Sequence, residues 1–107
     1  GTSGPNTFDC SGFTSFVFKK YGYSLLRSAQ QQGYDDSFTK LTRSQLRMGD
    51  LVFFNTVSDS DLSDHAGIYI SDGNFIHASS GGGEVMISNL DSGYYNRVFS
   101  WGRRVLE

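Results

Sequence analysis

Between His65 and Ser79 two strand-like runs flank Ser71-Asp72-Gly73, and no other stretch limits the fold as tightly. The segment predicts a β-hairpin. Its register decides which side chains share a face, because a slip of one residue turns a whole strand over. A two-residue loop at Asp72-Gly73 pairs Ser71 with Asn74 and puts His65 and His77 on opposite faces. A three-residue loop, a type I turn closed by Gly73 in the left-handed region, pairs Ile70 with Asn74 instead. It collects Ala66, Ile68, Ile70, Ile76 and Ala78 on one face and His65, Gly67, Tyr69, Phe75, His77 and Ser79 on the other. This second register separates apolar from functional side chains better and is the one expected. Gly67, having no side chain, is expected to leave room between the histidines for a helix end to dock.

The chain holds one cysteine, Cys10, in the stretch Asp9-Cys10-Ser11-Gly12-Phe13. Phe13, Phe16, Val17 and Tyr21 follow at helical spacing, with Gly22 as a natural stop, so Cys10 is expected in the first turn of a helix. Unpaired N–H groups and the positive end of the helix dipole favour a thiolate there, bringing a cysteine pKa from ~8.5 into the range ~3.5–7.5. Asp9 is the expected N-cap, its carboxylate turned into the helix. A lone cysteine is more often a small buried apolar residue. The position of Cys10 ahead of the apolar stripe, with two histidines later in the chain, shifts the balance toward a nucleophile and its base.

Composition narrows the partners. Nine Lys and Arg against 11 Asp and Glu leave a net charge of −2, and no basic run supplies a footprint for nucleic acid. No apolar run approaches the ~18 residues of a membrane span, so no membrane partner is expected. A single cysteine excludes an internal disulfide, which suits either a reducing compartment or a secreted enzyme keeping a free thiol for chemistry. The length of 107 residues suits one domain around one core, and a monomer is expected.

The rest of the chain predicts helices first and strands afterwards. Ser24 to Gly33 holds a second helical piece, with Ser28 as N-cap and Gly33 as stop. Tyr34 to Met48 shows no sustained period. Gly49-Asp50 then turns the chain into Leu51-Val52-Phe53-Phe54, a strand covered on both faces. Asp59, Asp61 and Asp64 lie in a solvated loop without the ligand spacing or turn glycine of a calcium site. Gly81-Gly82-Gly83 is a connector, since no Gly-Lys-Ser/Thr opens a helix after it. Val85 to Ser88 is strand-like, Asp91 to Asn96 is a turn or short helix, and Arg97 to Val105 is a closing strand. The expected fold class is α+β, with the helices packed on one face of an antiparallel sheet of about five short strands.

Five motifs occur in order: Asp9 to Phe13, Arg27-Ser28-Ala29-Gln30-Gln31, Gly49 to Phe54, His65 to Ile70, and Phe75-Ile76-His77-Ala78. Together they resemble the NlpC/P-sixty family of papain-like cell-wall peptidases over nearly the whole chain. The resemblance implies a papain-like core, a nucleophile at Cys10, a general base at His65 and an orienting third residue at His77. It implies the stem peptides of bacterial peptidoglycan as substrate, often cut after γ-linked D-glutamate, and a place outside the cell or in the wall of a bacterium, with a phage or mobile element as another source of such a chain. No cofactor and no metal are expected. Asp9, Ser11 and Ser79 are candidate substrate-binding residues of the groove, and Tyr69 and Phe75 are core candidates. Members of the family usually carry a tyrosine and a Gly-Gly segment just upstream of the cysteine motif. The chain is therefore expected to be a single domain over residues 1–107, excised from a longer protein and lacking that segment. Leu26 and Met48 stand where two family prolines would be.

Three other readings stand beside the endopeptidase. A catalytically silent module would keep the groove and bind wall peptides without cutting them, and an amidase of the same fold would cut a different bond. A metal site from Cys10, His65 and His77 lacks any short ligand spacing.

Overall fold

A computed structural model describes residues 10–23, 25, 29–55, 65–78, 84–91 and 93–106, with the backbone alone at 10, 11, 29 and 30. Helix α1 (Cys10–Lys19) and the short α2 (Ala29–Gly33) come first. The strands β1 (Thr39–Leu41), β2 (Leu51–Phe54), β3 (His65–Ser71), β4 (Asn74–Ala78) and β5 (Val85–Asn89) follow, then α3 (Gly93–Val98) and β6 (Phe99–Arg104). A 3-10 turn, Arg43–Gln45, links β1 to β2. The strands form one sheet in the order β1-β6-β2-β3-β4-β5, every pair antiparallel.

The sheet thus has six strands where about five were expected. The extra one, β1, lies in the stretch without a period, because only Leu41 of its three residues is buried and so no alternation marks it. Arg97 and Val98, expected in the closing strand, belong to α3.

Strand β2 lies between β6 and β3, and all four of its residues are buried, as a continuous apolar run demands. Leu51 and Phe53 face a core shared with Phe13, Phe18, Ala66, Ile68, Ala78 and Val105. Val52 and Phe54 face a second one with Phe75 and Leu90, lined by Tyr69, Tyr95, Val98 and Phe99. The expectation that the helices cover one face is therefore corrected. Phe13 and Phe18 of α1 pack on the first face, while Tyr95 and Val98 of α3 pack on the second. Trp101 Nε1 and Arg103 Nε both donate to the Gly33 carbonyl, at 2.7 and 2.9 Å, and tie α2 to β6.

The buried stripe of α1 also differs from the predicted one. Phe16 is 43% exposed and Tyr21 70% exposed, while Thr14 and Phe18 are buried. Thr14 is admitted because its hydroxyl donates to Gln32 Oε1 at 2.7 Å, and Gln32 Nε2 donates in turn to Ser15 Oγ at 3.1 Å. That polar bridge joins α1 to α2 and rotates the helix away from the all-apolar stripe, leaving Phe16 outside under the Lys20 ammonium. The stop at Gly22 holds. The Tyr23 N–H donates to the Phe18 carbonyl and the Gly22 N–H to the Lys19 carbonyl, a Schellman ending completed by the Tyr23 ring against Phe18.

The hairpin between β3 and β4 combines features of both registers. Asp72 and Gly73 have φ of +54° and +83°, the signature of a two-residue type I′ turn, and Ser71 pairs with Asn74. The three-residue loop is thus corrected. Between Tyr69 and Ser71 the ladder shifts, so that Tyr69 pairs with Phe75 and Ile68 with Ile76. The bulge supplies one extra residue on β3 and restores, beyond the turn, the face assignment that the longer loop would have given.

Candidate active site

His65 opens β3 and His77 lies in β4, on the next strand of the sheet. With Ile68 opposite Ile76 and Tyr69 opposite Phe75, both histidines point to the second face. His65 Nε2 lies 2.8 Å from His77 Nδ1, in hydrogen-bond contact, and the two rings stand at 87° to each other. The other nitrogen of His77, Nε2, is 2.9 Å from Ser88 Oγ on β5. A polar line therefore crosses three adjacent strands, His65 to His77 to Ser88.

Gly67 makes room for this line in a way other than expected. A β-carbon there would lie 2.9 Å from Phe75 Cδ2, 3.0 Å from the Ile76 carbonyl and 3.2 Å from His77 Cβ. The space is taken by β4 and its aromatic side chains, which is how His77 comes close enough to reach His65.

Aromatic rings enclose the pair. Tyr95 of α3 stacks against His65 at 6.2 Å with the rings inclined by 26° and stands edge-on to His77 at 5.2 Å, Phe54 is 5.8 Å from His65, and Phe75 is 4.7 Å from His77. His77 has no exposed surface and His65 is 6% exposed. Burial first, and the neighbouring His65 charge second, lower the His77 pKa to about 4. At neutral pH His77 is thus uncharged, with one N–H to donate and one nitrogen to accept. Burial, followed by the adjacent Tyr94, raises the pKa of the Tyr95 phenol.

Cys10 is the first residue of α1, and α1 packs against β3 and β4, the strands that carry the histidines. Ser11 follows it in the helix. The side chains of Cys10 and Ser11, and all of Asp9 and Ser79, lie outside the described residues, as do the acidic loop from 56 to 64 and the glycines at 81–83. Among the described residues no group of three or more His, Cys, Asp or Glu could hold a metal ion, and no helix is long and apolar enough to cross a membrane.

Ser88 and Tyr95 were not singled out in the sequence. Val85 to Ser88 is strand-like, and pairing it with β4 in the observed register puts Ser88 on the His77 face. The residues between 79 and 84 carry no turn signal that fixes this register. Tyr95 lies in a six-residue helix too short to show a period, so nothing marks its inward face.

Comparison with known proteins adds a second line of observation. The model of the NlpC/P60 family matches residues 1–104. A probable endopeptidase p60 of Listeria grayi is 45% identical over 104 residues, which is 96% of this chain and 19% of that protein. Murein DD-endopeptidase MepH of Escherichia coli is 35% identical over 108 residues, covering 99% of this chain and 40% of that one. The crystal structure of an NlpC/P60 family protein from Bacillus cereus superposes with a TM-score of 0.83 at 32% identity, over 94% of this chain and 32% of that one. The chain thus spans well under half of each of these relatives.

Proposed function

The chain belongs to the NlpC/P60 family and has its papain-like core of helix and antiparallel sheet, and from that premise we propose a cysteine endopeptidase of bacterial peptidoglycan stem peptides with Cys10, His65 and His77 as its triad. The observation that carries the reading is the 2.8 Å contact between His65 Nε2 and His77 Nδ1. With Nε2 engaged by His77, proton exchange with the thiol falls to Nδ1 of His65. His77, neutral near pH 7, accepts from the Nε2–H of His65 and stabilises the imidazolium without competing for its proton.

In the proposed sequence the Cys10 proton passes to His65 Nδ1 and the thiolate sulfur attacks the scissile carbonyl carbon. The tetrahedral intermediate collapses as His65 returns the proton to the leaving amine, and an acyl-thioester remains on Cys10. Water then gives one proton to His65 and adds as hydroxide to the carbonyl, and collapse expels the Cys10 sulfur, which takes the proton back from His65, leaving a carboxylic acid that ionises to solvent. Backbone N–H groups at the start of α1, with that of Cys10 foremost, would stabilise the oxyanion. Asp9, Ser11 and Ser79 are the proposed substrate-binding residues. Residues 1–107 would act as one catalytic unit, as a monomer, at the bacterial cell wall.

The proposed bond is the one after γ-linked D-glutamate. A second bond is favoured by the name of the MepH relative, a DD-endopeptidase, which would cut between D-amino acids of a cross-link instead. Digestion of purified peptidoglycan of known stem chemistry, with the soluble fragments weighed, distinguishes the two by the residues each fragment retains. Binding without any fragment released would identify a silent wall-peptide module, and loss of the whole stem from the sugar would identify an amidase.

A further inference from the structure

Ser88 stands on β5, opposite Phe75 of β4, and so shares the face of His77. Its Oγ is 2.9 Å from His77 Nε2, the ring nitrogen turned away from His65. A neutral imidazole carries one proton, and two arrangements of it fit this line. With the proton on Nε2, His77 donates to Ser88 and Nδ1 accepts from His65. With the proton on Nδ1, His77 donates to His65, and Ser88 donates to Nε2.

Only the first arrangement serves both charge states of His65. Imidazolium carries an N–H on both nitrogens, so its Nε2–H would face a second N–H if His77 held its proton on Nδ1. With Nε2 protonated instead, His77 presents a lone pair to His65 before and after His65 takes up a proton. That arrangement puts the N–H of a fully buried ring at the Ser88 end, where losing its acceptor costs the desolvation of the donor.

We infer that Ser88 is a positioning residue, holding His77 in the Nε2–H tautomer by giving that buried N–H its acceptor. The role deepens the proposed peptidase reading and rests on it for its effect on turnover, while the tautomer is a property of the resting protein.

Long-range nitrogen–proton correlation spectra of the 15N-labelled protein near neutral pH read the tautomer directly. The expected spectrum has a pyrrole-type shift at His77 Nε2 and a pyridine-type shift at Nδ1. Ser88→Ala should move His77 toward the Nδ1–H form and lower kcat about three- to tenfold with KM unchanged, the loss of one hydrogen bond's worth of stabilisation. Ser88→Thr, which keeps the hydroxyl, should restore both. Protonated Nδ1 in the unaltered protein, or an Ala variant with unchanged tautomer or unchanged kcat, would overturn the assignment. An Nε2–H spectrum in a protein that releases no fragment from peptidoglycan would sink the peptidase reading and leave the tautomer assignment standing.

Discussion

His65 Nε2 and His77 Nδ1 are 2.8 Å apart, although 12 positions separate the two residues in the chain. The contact exists because a bulge between Tyr69 and Ser71 compensates for a two-residue turn, and because Gly67 lets β4 close in. The consequences can be measured residue by residue.

Removing the two histidines should not cost the same. His65→Ala is expected to lower turnover as far as Cys10→Ser does, about 10⁴-fold or more, since nucleophile and base act as a unit. His77→Ala should leave a measurable rate, about 10- to 100-fold down, because its proposed role is only to orient the base. Steady-state rates on a soluble stem peptide check the ranking, and equal, complete loss in both variants would contradict it.

The buried His77 also links folding to pH. Its pKa is lowered to about 4 in the folded chain, against ~6.5 when unfolded, so between those values the unfolded chain binds the extra proton. Stability from this group is therefore complete above pH ~6.5 and falls as the pH drops to about 4, by at most roughly 3 kcal/mol. Urea midpoints across this range should show that fall, and His77→Asn, which cannot titrate, should flatten it. A parallel fall in the Asn variant would assign the effect to other groups.

How far these features could be read from the chain depended on the physics behind each. The four apolar residues of β2 declare a central strand, and alternation along His65–Ala78 fixes which side chains share a face, because the strand period is two. The turn departs from the expected three-residue loop because Asp72, a residue with a β-carbon, adopts φ of +54° beside Gly73. A bulge leaves no mark in an apolar pattern. The buried stripe of α1 is turned from the expected one because Thr14 is buried through a hydrogen bond to Gln32, a tertiary partner no local pattern reveals. Ser88 and Tyr95 reach the histidines through connections whose lengths carry no register, so only the assembled sheet brings them there.

Gly67→Ala tests the close approach of β4. The added carbon would meet Phe75 and His77 Cβ at 2.9 and 3.2 Å and the rigid Ile76 carbonyl at 3.0 Å, so β4 must shift outward. A destabilisation of about 1–3 kcal/mol is expected, with a larger proportional loss of activity as the two imidazoles separate. Denaturant unfolding and kinetics on the same preparation check this, and an Ala variant of full stability and activity would show that the gap is not needed.

Gly73→Val tests the turn. With φ of +83°, valine is strained by about 1 kcal/mol or more, and its β-carbon would overlap the Asp91 carboxylate. The Gly73 carbonyl also accepts from the Leu90 N–H at 2.8 Å, so the strain reaches the end of β5. The expected product is a folded, less stable chain with lost activity, its His65–His77 contact broken by a slipped register. Unchanged histidine shifts in its nitrogen–proton spectrum would contradict this.

The central claim is that His65 takes the proton of Cys10 and so lowers the pH at which the thiolate forms. Because the chain has a single cysteine, its alkylation by iodoacetamide can be followed by intact mass without mapping the site. The rate against pH should rise with an inflection well below the ordinary cysteine value of ~8.5, and in His65→Ala the inflection should move up toward it. An unaltered protein whose Cys10 titrates at the ordinary value, or an inflection that His65→Ala leaves in place, would contradict the proposed pair.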